Sequence, residues 1–154
     1  MALAAAQVKA ALLARLVAAN TAAAARVYGP SRTWPLDEGD LPAIIVVPAG
    51  EEELDSEDIT WPQLQVHTLP LAIQGKVRSV SDVDGAMDDL AEDILVAIND
   101  TQAHAELDPL VGCNVVARGI ARNADAAGQA ALGVVTVRVE AVFQTAANAP
   151  STLI

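Results

Sequence analysis

Leu132-Gly133-Val134-Val135-Thr136-Val137-Arg138-Val139-Glu140-Ala141-Val142-Phe143-Gln144 is the stretch that decides the fold class. Val135, Val137, Val139, Ala141 and Phe143 share one parity, and Thr136, Arg138, Glu140 and Gln144 share the other, with Val142 the apolar exception. Successive side chains of a strand point to opposite faces, so this pattern specifies a strand with one buried and one wetted side. Val115 to Arg122 reads as a partner strand and Asn123 to Ala131 as the loop, which makes the last third of the chain a hairpin.

Upstream the period changes. Val83, Met87, Leu90, Ile94 and Ile98 recur at spacings of four, three, four and four, with Ala91 and Leu95 widening the stripe. Only a helix brings those positions onto one face. Ser81 or Ser79 serves as its N-cap, Asp82 and Asp84 suit the positive end of the helix dipole, and Asn99-Asp100 ends it. Ala43–Val47 is a continuous apolar run bounded by prolines and reads as a buried central strand. The strand that starts near Gln63 is less simple. Leu64 and Val66 have one parity, whereas Leu69, Leu71 and Ile73 have the other. Either a bulge lies near Thr68–Pro70, or both faces become buried through assembly.

The chain begins with an Ala-rich helix from about Leu3 to Ala19. Val8, Leu12 and Leu16 form one row, Leu13 and Val17 a second, and Gln7, Lys9 and Arg15 lie elsewhere on the cylinder. A short strand follows at Arg26 to Tyr28, then a loop of Pro, Gly and acid from Ser31 to Asp40. Ala146 to Ile154 has no pattern and is expected to be a flexible tail. The expected architecture is α+β: two helices packed on a mostly antiparallel sheet, in the order helix, strands, helix, hairpin. Residues 1–145 form one domain and 146–154 the tail.

Composition restricts function. Twenty acids against nine basic residues give a net charge of −11, which disfavours phosphate-rich and anionic membrane partners alike. Nine of the acids fall between Asp37 and Asp58 and six between Asp82 and Asp93, so they form solvated faces or an acidic surface for a basic partner. Hydrophobic residues reach 53% but aromatics only 3%, so each core side chain buries little area and association between subunits would add what is missing. Cys113 is the only cysteine, which leaves no internal disulfide. Lys9, Arg15 and Arg26 interrupt the N-terminal apolar segment, against a membrane span or a signal peptide. The expectation is a mature cytoplasmic chain that meets no membrane.

Signals of chemistry are weak. His67 and His104 are the only histidines, and neither has a neighbour at metal-ligand spacing. Asp82-Val83-Asp84-Gly85 places its glycine fourth rather than sixth for a calcium loop. There is no G-x-S-x-G elbow and no Gly-rich phosphate loop. The chain is therefore expected not to be an enzyme, with no catalytic residue, metal or cofactor. Trp61, opening a strand, suits a core anchor, whereas Trp34 in a Pro-rich loop suits an interface.

Leu41-Pro42-Ala43-Ile44-Ile45-Val46-Val47, followed by Glu52-Glu53-Leu54-Asp55-Ser56-Glu57-Asp58-Ile59-Thr60-Trp61, resembles the middle of the lambda-type phage minor tail protein U family, the tail terminators. The hairpin segment Ala117-Arg118-Gly119-Ile120-Ala121-Arg122, with Asp125 and Gly128, looks similar too. Pro62, the Ala-rich stretch before Tyr28 and the scarcity of aromatics depart from that family. The resemblance implies a structural protein that forms a ring, a hexamer in that family, and caps the tail tube at the head-proximal end of the virion's tail after assembly in the host cytoplasm. Its partners would be itself, the tube protein and the head–tail connector or neck, with DNA passing the lumen without specific binding. Interface candidates are Trp34, Glu52, Glu53, Asp55, Glu57, Asp58, Arg118, Arg122 and Arg138. The alternatives are another neck, tail-completion or tube protein, or a small oligomeric α+β enzyme or ligand-binding module.

Overall fold

The computed structural model describes residues 4–19, 27–29, 42–56, 63–79, 81–99, 114–127 and 130–153. In chain order the elements are α1 (Ala4–Ala18), β1 (Val27–Tyr28), β2 (Ala43–Pro48), β3 (Glu53–Ser56), β4 (Leu64–Ser79), α2 (Val83–Ile98), β5 (Asn114–Ala127), β6 (Ala130–Ala146) and β7 (Ala149–Leu153). The alternating stretch from Leu132 to Gln144 lies in β6, the spine of the molecule. It pairs antiparallel with β4 from Leu64↔Ala146 to Ser79↔Ala131, and with β5 on its other edge. Two long partners explain why its apolar parity is so regular: each slip of register would turn every core residue outward.

The expected sheet is corrected. It is a curled, mixed sheet of seven strands, ordered β1-β2-β4-β6-β5 with β3 also on β4 and β7 also on β6. β1 and β2 run parallel, Val27 opposite Ile44, and the Gly29–Pro42 connection is long enough for the crossover of about a dozen residues that parallel pairing needs. β3 and β7 add strands in segments that carry no alternation, the second within the expected tail. Each borrows its order from a stronger neighbour, β4 or β6. The hairpin strands also run further than expected, with Ala127 paired to Ala130 across most of the expected loop.

No bulge interrupts the β4·β6 register near Thr68–Pro70. The break is on the other edge of β4, where β2 ends at Pro48↔Leu71 and β3 resumes at Glu53↔Thr68. Ala49 N–H donates to the Pro70 carbonyl at 3.1 Å, so Pro70 presents that edge, and its missing N–H falls where the ladder is broken. Leu69, Leu71, Ile73 and Val77 face the helices and are buried, whereas Leu64 and Val66 are half-buried on the opposite face.

α2 lies on the inner face of the sheet. Its Met87, Leu90, Ala91, Ile94, Ala97 and Ile98 are buried with Val135, Val137, Val139, Ala141 and Phe143 of β6. Asp82, rather than either serine, is the N-cap: its carboxylate accepts from Gly85 N–H at 2.9 Å, while Ser79 Oγ accepts from Asp82 N–H. α1 packs beside α2 through Val8, Leu12 and Leu16. Its second face differs from the expected row: Val17 is exposed, whereas Arg15 is buried with its Nη1 3.5 Å from the Ile98 carbonyl at the C-terminus of α2. Ala4, Ala5 and Ala11 complete that face, small enough to let the helix sit close.

Candidate functional site at the acidic edge

β4 brings His67 directly opposite Phe143 of β6, and the two rings stack with centroids 4.7 Å apart and planes at 10°. His67 Nδ1 is 2.8 Å from Glu52 Oε1, and Nε2 is 2.7 Å from Thr145 Oγ1. An ionised carboxylate only accepts, so Nδ1 donates to Glu52 and, in the neutral ring, Nε2 accepts from the hydroxyl. An acid–imidazole–hydroxyl chain has the connectivity of a nucleophilic triad. Thr145, however, is 0% exposed, and a nucleophile needs a substrate atom within reach. The geometry instead ties three segments together: the break between β2 and β3, the start of β4 and the end of β6.

Along the β3 edge of the sheet, a groove of about 630 Å³ is lined by Glu51, Glu52, Glu53, Leu54, Asp55, Val66 and Thr68. A smaller groove beside it, of about 260 Å³, adds Gly50, Pro70 and Glu140. Glu53 and Asp55 stand opposite Thr68 and Val66 and so share their face. None of Glu51, Glu53 and Asp55 makes an ion pair among the described residues, so the groove concentrates negative potential. All four residues of β3 are exposed, including Leu54 at 57%.

The arginines occupy the far edge. Arg118 is the extra residue where the β5·β6 register shifts between Ala117 and Gly119, and its Nε lies 3.1 Å from Glu140 Oε2. Arg122 Nε lies 2.7 Å from Asp88 Oδ1 on α2. Arg138 is exposed beside Gly119, where a Cβ would come within 3.0 Å of its Nη2. Exposed ion pairs of this kind contribute about 0–1 kcal/mol, so these arginines can exchange partners at little cost.

Of the sequence candidates, Glu53 and Asp55 thus stand on one edge, and Arg118, Arg122 and Arg138 on or beside the other. Glu52 turns its carboxylate to His67. Trp34, Glu57 and Asp58 lie outside the described residues, as do Trp61, His104 and Cys113. The link between His67 and Thr145 spans 78 residues of sequence and leaves no local signal. Among the described residues no group of three or more His, Cys, Asp or Glu is placed to hold a metal ion, and no helix is long and apolar enough to cross a membrane. Comparison of the chain with protein-family models finds no match, and comparison with curated proteins finds none.

Proposed function

We propose that the chain is a ring-forming tail terminator that caps the tail tube of a phage and offers the head-side neck its docking surface. Support comes from the order of motifs between Leu41 and Trp61 together with one structural observation: an acidic strand edge and an arginine-bearing strand edge stand at opposite sides of one sheet. A subunit with two unlike edges is built for heterologous, head-to-tail contact, the geometry that closes into rings. The mechanism is stoichiometric binding. The ring occupies the surface that the next ring of tube protein would use, so polymerisation stops without any bond being made or broken. The net charge of −11 per subunit suits a channel through which DNA slides, because a basic lining would grip phosphates.

The test is co-expression with a candidate tail-tube subunit from the same genome, followed by electron microscopy. With the chain present, tubes end at a defined length and carry one extra ring at one end. Tubes of unlimited length with bare ends, in the presence of folded chain, would overturn the proposal. Long tubes made by the chain alone would identify it as a tube subunit instead.

A further inference from the structure

We propose that β3 and residues 50–52 before it form a strap over the edge of β4, latched by the Glu52–His67 hydrogen bond, that opens and closes while the rest of the sheet stays folded. β2 leaves that edge at Pro48↔Leu71, and β3 takes it up at Glu53↔Thr68. A bare edge there would offer its N–H and C=O groups to another strand, so the closed strap guards it. The inference does not depend on the ring proposed above.

The backbone shows which groups the strap covers. Ala49 N–H donates to the Pro70 carbonyl, so the even-numbered residues of this stretch of β4 point their N–H and C=O groups toward β2 and β3. The register with β6 runs unbroken from Leu64 to Ser79, which carries that parity down to Thr68 and Val66. Thr68 stands opposite Glu53 and Val66 opposite Asp55, so these two pairs exchange the hydrogen bonds that hold β3. His67, between them, points its N–H the other way, to Phe143 of β6.

Little besides this backbone pairing holds β3. All four of its residues are exposed, so pairing orders the chain with little apolar burial to offset the lost entropy. None of its side chains makes a hydrogen bond or ion pair among the described residues. Glu53 and Asp55 also share one face, where the closed strap holds their like charges together. Glu52 is the exception. Its carboxylate is fastened to a nearly buried imidazole that Thr145 and Phe143 fix from β6, so the strap is tied to the core at its first residue. A hydrogen bond to an ionised acceptor is the stronger kind, which makes this contact the latch.

Amide-resolved hydrogen exchange at low urea concentrations tests this in the full chain. The N–H groups of Glu53, Asp55, Val66 and Thr68 should exchange together, at rates that hardly change with urea, because opening the strap exposes little surface. His67 and Val137 should exchange on the order of a hundredfold more slowly and quicken steeply with urea. Glu52→Ala should speed the four strap amides about tenfold or more, as for loss of a hydrogen bond to a charged group. Glu52→Gln, which keeps an acceptor for Nδ1, should speed them less. Gly75→Ala, which strains the packing of α2 on the sheet, should quicken Val137 and leave the strap amides unchanged. If the strap amides share the urea slope of Val137, or follow it in Gly75→Ala, β3 opens only with the whole fold and the strap is overturned. Exchange at His67 as fast as at Val66 and Thr68 would also overturn it, because the end of β4 would then fray as one piece. Strap amides that ignore Glu52→Ala would overturn the latch.

Discussion

Thr145 Oγ1 lies 2.7 Å from His67 Nε2, on the strand beside it and two residues beyond the Phe143 ring on which His67 stacks. Glu52 closes the other side of the imidazole, so a nearly buried polar ring has both nitrogens satisfied. Thr145→Val should therefore leave Nε2 without its partner and cost about 1–3 kcal/mol, the desolvation penalty of an unmade buried hydrogen bond. Glu52→Ala should cost a similar amount, and the double variant less than the sum, because both act through one ring. Urea unfolding measures the cycle; strict additivity with small losses would show that the trio is not coupled.

Gly75 of β4 and Gly133 of β6 lie directly beneath α2. A Cβ at Gly75 would come within 2.5 Å of Leu90 Cδ2, and one at Gly133 within 2.7 Å of Met87 Sδ and 2.8 Å of Cγ2 of Val83, a half-buried residue in the first turn of α2. Leu90 is fully buried at the centre of the helix face and has nowhere to turn, whereas Met is the most adaptable of core side chains. Gly75→Ala should destabilise by about 1–3 kcal/mol through overpacking, and Gly133→Ala by less. Thermal unfolding of both variants checks the order; the reverse ranking would mean that α2 is held elsewhere.

Arg15 is charged and buried, with its guanidinium at the carbonyl end of α2. A cation there meets the negative pole of the helix and a carbonyl that the helix itself leaves unsatisfied. Arg15→Ala should cost about 2–3 kcal/mol in denaturant unfolding, from the charged hydrogen bond and the packed stem together. Arg15→Met, which keeps most of the stem, should recover part of it. Equal losses would assign the whole effect to the charge.

Ending the chain at Ala147 removes β7 and with it the Ser151 carbonyl that accepts from Gln7 Nε2 at 2.6 Å. Hydrogen exchange should then quicken in the first turns of α1 and at the end of β6, and the melting temperature should fall. Gln7→Ala should reproduce a smaller part, about 1 kcal/mol, as for a single hydrogen bond. A truncated chain with unchanged exchange would mean that residues 149–153 are dispensable for order.

The sequence by itself determined the elements whose periodicity is written in their own side chains. β6 follows from the alternation of Val135 to Phe143, and α2 from the spacing of Val83 to Ile98, because burial of one face dictates the period. The candidate charges, Glu53 and Asp55 on one side and Arg118 and Arg138 on the other, were equally visible as residues. Their faces and edges were not. Only tertiary structure decided that β3 exists, because Glu53–Ser56 is ordered by the edge of β4 rather than by its own pattern. Only tertiary structure made β1 parallel to β2, drew Arg15 beneath the last turn of α2, and set His67 between Glu52 and Thr145. Each of these depends on partners far apart in the chain, and a local pattern records how a segment is buried without recording what buries it.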